Sequence, residues 1–196
     1  MITRARQGLV AGALALLAGW IALRLRTTDG PSLIWTAAHL VLLTGYIVLL
    51  LAGFGAFRWL QAKKEPSWLP KAGIILMALG TLAFVGQMTV DLLAGMLSAD
   101  QAGMDKFFDL VQGPLAAKLA LYAVGPALFY TGLLVLVGLL VRAQVFARTG
   151  AVLAVTGIAL IAFVFTVLTS GTSSLLYPLG LTCLSIGFAL PRVSSR

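Results

Sequence analysis

The sequence predicts an all-α polytopic membrane protein, six transmembrane helices in a compact bundle. Three observations carry this. The chain is 60% hydrophobic and only 10% charged, with a mean hydropathy of +1.03, whereas soluble domains carry about 25% charged residues. Apolar stretches long enough to cross a hydrocarbon core of about 30 Å recur along its whole length. The connections between them are too short to hold a soluble domain, so residues 1–196 read as a single transmembrane domain.

The first span falls at 7–25. Arg4 and Arg6 precede its apolar core, as in a signal peptide. The core runs on to Leu23, ends in Arg24 and Arg26, and lacks a small-x-small cleavage site before a polar stretch, so it is expected to remain as a span. Further spans fall at 31–57, 70–97, 114–141, 148–168 and 173–190. Pro31, Pro70 and Pro114 stand at helix starts, where a missing N–H is tolerated. The second, third and fourth spans exceed the roughly 20 residues that a crossing needs, and should tilt or project into the interface.

Two connections have character. In "WLQAKKEPSWLPK", Trp59 and Trp68 are interfacial anchors and the lysines can meet anionic lipid heads. Around 101–112, Met104, Phe107, Phe108 and Val111 recur at helical spacing, with Asp105 and Asp109 elsewhere on the turn. That pattern predicts a short amphipathic helix on the membrane surface, as a connector or as a lid over a cavity.

Orientation follows from the lysine and arginine bias. Arg4, Arg6, Arg58, Lys63, Lys64, Lys71, Arg142, Arg148, Arg192 and Arg196 fall on one side. The other side has Arg24, Arg26, Lys106 and Lys118, together with Asp29, Asp91, Asp100, Asp105 and Asp109. The expected placement is the inner (plasma) membrane with both termini cytoplasmic. The net charge of +8 is therefore a topology signal, and nucleic acid is not an expected partner. Membrane lipids are.

Several chemistries are excluded. Cys183 is the single cysteine, so dithiol redox chemistry and an intrachain disulfide are out. His39 is the single histidine, which leaves no zinc-ligand cluster and no bis-histidine haem. No metal and no cofactor is expected.

Spans three and five open alike, as "KAGIILMALG" and "RTGAVLAVTG", and spans two and four share "TGYIVLL" and "TGLLVLV". Spans 2–3 and 4–5 thus read as a duplicated two-helix hairpin. The segment "LYAVGPALFYTGLLVLVGLLVRAQVFARTGAVLAVTGIALI", 121–161, joins a Gly-Pro bend, a glycine-rich span, a short basic turn and a further span. In this it resembles small six-span integral membrane proteins of high-GC bacteria whose function is uncharacterised. The resemblance implies a fold class and carries no activity or site residues.

The most informative feature is a polar layer. Rising 1.5 Å per residue, the spans place His39, Gln87, Asp91, Lys118, Tyr122 and Tyr177 in one depth band of the outer half. Asp91 and Lys118 would pair between spans three and four, and a cavity would lie between spans two, three and four. Intramembrane ionisable groups face the bundle interior or a wet cavity. These six residues are the candidate ligand-binding set, and Asp91, His39 and Tyr122 are the candidate acid/base residues. The alternative to a site is a structural polar cluster fixing helix register. As a site, the layer fits a pocket for a small amphipathic or lipid ligand. It also fits an intramembrane enzyme acting on a lipid or isoprenoid, a proton-coupled transporter, or a subunit of a larger membrane complex or homo-oligomer.

Overall fold

Local capping sets where the helices begin. In the computed structural model, which describes residues 1–27, 30–63, 68–167 and 173–191, helix α1 is Ile2–Arg24 and α2 is Leu33–Ala62. Ser32 caps α2 by accepting the Trp35 amide at 3.1 Å. Helix α3, Leu69–Leu97, carries Pro70 in its first turn. The amphipathic helix α4, Gln101–Gln112, coincides with the predicted 101–112 and is capped by Asp100, whose carboxylate accepts the Gly103 amide at 2.8 Å. Helices α7, Arg148–Val167, and α8, Ser173–Ala189, complete the described chain. The predicted end of the fifth span at 168, and Asp29, Lys64, Arg192 and Arg196, lie outside the described residues.

The predicted fourth span divides into α5, Leu115–Leu119, a π-helical turn at Ala120–Val124, and α6, Gly125–Arg142. Pro126 has no N–H to offer the Tyr122 carbonyl. The turn before it widens, and the Gly125 amide donates to the Ala120 carbonyl five residues back. The bend expected at Gly125-Pro126 therefore takes the form of a wide turn that contains Tyr122.

Apart from one isolated bridge between Phe146 and Pro191, the described residues form no strand pairing. Among them, four segments are long and apolar enough to cross a membrane: α1, α2, α3 and the α5–α6 segment Leu115–Arg142. The apolar helices α7 and α8 are shorter, at 20 and 17 residues. Large apolar side chains such as Leu51, Ile75, Leu82, Val152 and Phe163 are exposed on the outside of the bundle, a surface that suits lipid better than water.

The long helices alternate in direction and pack in chain order, α1 on α2, α2 on α3, α3 on α6, α6 on α7 and α7 on α8, and α8 returns to α1. The result is a closed ring of six. One end, here the basic end, carries Arg4, Arg6, Arg58, Lys63, Lys71, Arg142 and Arg148. The other, the acidic end, carries α4 with Asp100, Asp105 and Asp109.

The six interfaces are unequal. In three pairs, backbone meets backbone across glycine. A Cβ on Gly12 or Gly19 of α1 would stand 3.0 Å from the Gly45 or Ala38 carbonyl oxygen of α2. One on Gly132 of α6 would stand 2.5 Å from the Gly73 carbonyl oxygen of α3, and one on Gly157 of α7 would stand 2.6 Å from that of Gly180 in α8. At the α2–α3 interface, Gly53 and Gly95 instead meet the side chains of Met77 and Trp35. The close hairpins are therefore α1–α2, α3–α6 and α7–α8, whereas the sequence repeat pairs the second span with the third and the fourth with the fifth.

A test follows from α3–α6. A Cβ on Gly80 would collide with the Phe129 backbone, while one on Gly138 meets nothing within 4 Å. Gly80→Ala should destabilise the protein by about 1–3 kcal/mol, the cost of overpacking. Gly138→Ala should be neutral or stabilising by up to about 1 kcal/mol, since alanine is the better helix former. Thermal unfolding of the two purified variants in detergent separates these outcomes.

Candidate functional site

Away from water, each polar group must find its partner within the protein. Most hydroxyls here do so on their own helix. Thr44, Thr81, Thr89, Thr182 and Ser185 each donate to the carbonyl four residues back, at 2.7–2.8 Å. A second group of polar side chains does not, and they gather toward the acidic end of the ring.

The centre of this group is a latch between α2 and α3. The Trp35 indole Nε1–H donates to the Asp91 backbone carbonyl at 2.8 Å. Gly95 makes this reach possible, because a Cβ there would stand 2.7 Å from Trp35 Cδ1. The Trp35 carbonyl lies 2.7 Å from His39 Nδ1. A carbonyl only accepts, so Nδ1 carries the hydrogen. That turns Nε2 toward the Asp91 carboxylate, 3.5 Å away. Both side chains are nearly buried, at 5% and 11% exposure. One proton shared between Nε2 and the carboxylate leaves the pair neutral overall. At 3.5 Å the contact exceeds the usual N–H···O range of 2.7–3.2 Å, so the carboxylate keeps acceptor capacity.

Trp35 is held from its other sides. The Arg26 guanidinium lies 4.9 Å from its ring centroid, and Phe108 of α4 lies 6.3 Å from it. The amphipathic helix thus packs on the back of the latch through the apolar face that the sequence identified.

A cavity of about 280 Å³ adjoins the latch. Trp20, Leu23 and Arg24 of α1 line it, with His39, Leu42 and Tyr46 of α2. Phe84, Gln87, Met88 and Asp91 of α3, Val164 of α7 and Tyr177 of α8 complete the wall. Its floor is aromatic. Tyr46 stacks on Phe84 at 3.7 Å between centroids, and Phe129 meets both rings edge-on. The Tyr46 hydroxyl lies 3.3 Å from that of Tyr177 and 3.5 Å from that of Tyr130, so three tyrosines from α2, α6 and α8 converge. The Gln87 Oε1 atom is buried and has no hydrogen-bond partner among the described residues.

Of the six predicted ligand-binding residues, four line this cavity together: His39, Gln87, Asp91 and Tyr177. Lys118 does not. It is exposed on α5, and the ion-pair partner of Asp91 is His39. Depth along a helix does not fix direction around it, and α5 turns this side chain away from the ring. Tyr122 also lies outside the cavity wall. Its hydroxyl is buried without a hydrogen bond, with the Gln112 side chain beside it but outside bonding geometry. The cavity expected between spans two, three and four instead lies between α1, α2, α3, α7 and α8, because the ring closes through α1 and α8. Of the acid/base candidates, Asp91 and His39 meet, and Tyr122 makes no hydrogen bond to either.

Sequence reasoning did not reach Trp20, Arg24, Trp35, Tyr46 or Phe84. A signal was present for two of them. Tyr46 lies seven residues after His39, and Phe84 seven before Asp91, so each shares a helix face with a predicted residue. No group of three or more potential metal ligands occurs among the described residues. Comparison with known proteins finds no matching family model, no matching curated protein and no matching solved structure.

The latch generates a prediction. Trp35→Phe keeps a ring in place but removes the indole donor, and should cost about 0.5–2 kcal/mol, the range of an interhelical hydrogen bond in a membrane. His39→Ala and Asp91→Ala should each destabilise, and the double variant should cost less than their sum, since both remove one pair. Unfolding midpoints of the four proteins in one detergent measure this coupling.

Proposed function

We propose that this chain is a six-span inner-membrane protein whose outward-facing polar cavity binds a small amphipathic or lipid ligand. The polar head lies among His39, Gln87 and Asp91, and the apolar part meets the aromatic wall of Tyr46 and Phe84. The observation that carries this is the loosely paired Asp91 carboxylate in the cavity wall, beside Gln87, another wall residue whose Oε1 is buried without a partner. A buried acceptor without a donor is costly in a purely structural cluster, and a turn of the Gln87 side chain into the cavity lets a bound molecule supply what is missing.

The form of the cavity supports this reading. Ligand pockets are mostly apolar with a few convergent polar groups, and about 280 Å³ stands just below their usual range. That is room for a head group and the start of a chain. Below the tyrosines the core is filled by apolar side chains such as Leu49, Met77, Leu136, Leu140 and Phe188. No polar path continues toward the basic end among the described residues, which favours binding over conduction.

In this reading α7 and α8 are the fifth and sixth spans, and the ring closed by α8 on α1 supports their lying at the same level as the other four. The bias of basic residues supports a cytoplasmic basic end, with α4 on the outer surface.

Two experiments test these proposals. In a Cys183→Ser background, Asp105→Cys should react with a membrane-impermeant maleimide on intact cells, and Lys63→Cys only after lysis; the reverse pattern inverts the orientation. For the cavity, Leu42→Trp places an indole in the ligand space. Mass spectrometry of the gently purified protein should find an amphiphile retained by the wild type and lost from Leu42→Trp, with equal helical content by circular dichroism. Equal retention by the two proteins refutes the cavity as its site.

A further inference from the structure

The seam between α1 and α2 changes character along its length. At Gly12 and Gly19 of α1 the Leu49 and Leu42 side chains of α2 fill it, and a Cβ on either glycine would stand 2.6 or 2.7 Å from the leucine Cγ. Toward the basic end the residues that meet are smaller. A Cβ on Gly8 would stand 2.9 Å from that of Ala52, and one on Gly55 would stand 3.1 Å from that of Ala5. With no large side chain to fill it, this stretch of the seam stays open as a hollow of about 570 Å³. Val48 and Leu51 form its α2 flank, and Leu51 is 64% exposed, so the hollow opens as a groove on the outside of the ring. It shares no lining residue with the cavity at the acidic end.

Charge is confined to one end of this groove. Arg4 lines it at the basic end. Arg58 stands one turn beyond Gly55 on the same face of α2. The meeting of Gly55 with Ala5 brings both arginines to the same end of the seam. Both are exposed, and neither has an acidic partner among the described residues. The described carboxylates, Asp91, Asp100, Asp105 and Asp109, all belong to the other half of the bundle. From Arg58 the groove runs to Val48, near the middle of α2, a rise of about 15 Å. Guanidinium groups therefore stand at the surface end, and apolar wall continues from them toward the midplane.

We propose that this groove seats an anionic phospholipid, its phosphate held by Arg4 and Arg58 and one acyl chain lying along Gly8, Leu51 and Val48. A lipid standing in its own leaflet has this order, with phosphate at the surface and chain toward the midplane. The depth from Arg58 to Val48 matches half of a hydrocarbon core of about 30 Å. Guanidinium groups suit phosphate because their N–H donors match its oxygens in pairs. Net charge then selects among lipids. A glycerol head leaves the phosphate charge uncompensated, and two cations without a carboxylate beside them supply the balance. A choline or ethanolamine head brings an ammonium of its own, which both guanidinium groups repel. This inference rests on the membrane placement proposed above and is independent of the ligand at the acidic end.

The test is retention of defined lipids by the full chain, read by native mass spectrometry from detergent. The probes are phosphatidylglycerol, phosphatidylcholine and phosphatidylethanolamine with identical acyl chains. The wild type should hold the glycerol lipid more tightly than either zwitterionic one. Arg4→Gln and Arg58→Gln should each cut that preference about fivefold, the usual worth of one arginine beside anionic lipid, and the double variant should abolish it. Arg148→Gln removes an equal charge from the basic end away from the groove and should leave the preference unchanged. Val48→Trp fills the groove and should release the glycerol lipid at equal helical content by circular dichroism, whereas Leu42→Trp, in the other cavity, should retain it. The proposal is overturned if the wild type shows no preference, if Arg148→Gln acts as strongly as Arg4→Gln, or if Val48→Trp retains the lipid as the wild type does. A dimer that Val48→Trp converts to monomer also overturns it and gives the groove to a second copy of this chain. Loss of the glycerol lipid from Leu42→Trp alone overturns it in favour of the cavity. Recovery of the wild type in the soluble fraction of cells removes the membrane placement, and this inference with it. If Val48→Trp does not fold, the arginines decide: an unchanged preference in their double variant overturns the proposal.

Discussion

The close approach of helices through glycine governs this structure. Without water there is no hydrophobic drive between helices in a lipid phase, and backbone proximity with its dispersion contacts takes over. Gly12 and Gly19 against α2, Gly132 against α3, and Gly157 against α8 each bring a carbonyl to within contact of a neighbouring Cα. Three hairpins are thereby drawn tight. Where the hairpins meet one another, larger side chains separate the backbones, and the space left at the acidic end is the cavity; a second hollow of about 570 Å³, lined by Arg4, Gly8, Leu51 and Gly55, lies at the basic end between α1 and α2. The same constraint explains its floor. Helices α2 and α6 touch across the ring at Tyr46, Phe129 and Tyr130, and below these rings aliphatic side chains leave no opening.

The dry interior then sorts polar side chains by reach. Short hydroxyls, those of Thr81 and Ser185 among them, return to their own helix and stay silent. Longer or ionisable groups cannot, so they must bridge helices or wait for a partner. Trp35, His39 and Asp91 bridge α2 to α3, and Tyr46, Tyr130 and Tyr177 bridge α2, α6 and α8. Gln87 Oε1 and the Tyr122 hydroxyl remain unpartnered. The first belongs to a residue of the cavity wall. The second lies in the wide turn that Pro126 imposes, apart from the cavity wall.

Much of the fold was legible because length and apolar content decide which segments become long helices, and because i, i+3, i+4 spacing alone defined α4. The level of His39, Gln87, Asp91 and Tyr177 was legible from rise per residue. What that arithmetic omits is rotation about the helix axis. Lys118 has the depth to reach Asp91 and the wrong direction. Ring closure was hidden for a different reason: nothing local in Trp20, Leu23 or Arg24 shows that α1 will lie beside α8, so a quarter of the cavity wall was missed from that side. Tyr46 and Tyr130 carry no charge and therefore raised no alarm, although Tyr177 beside them was reached. The extension of α1 back to Ile2 and of α2 on to Ala62 reflects the absence of glycine or proline breaks at those ends, where apolar content had already fallen.

Because α8 supplies Tyr177 and seals the ring against α1, the cavity comes into being only when the last helix docks. In the membrane setting proposed above, the first hairpin has to wait with its inner face open until synthesis has delivered more than a hundred further residues. Surrounding lipid is the natural temporary occupant of that face. On that proposal maturation is an exchange, in which bulk lipid leaves a half-built groove as the closing helix arrives.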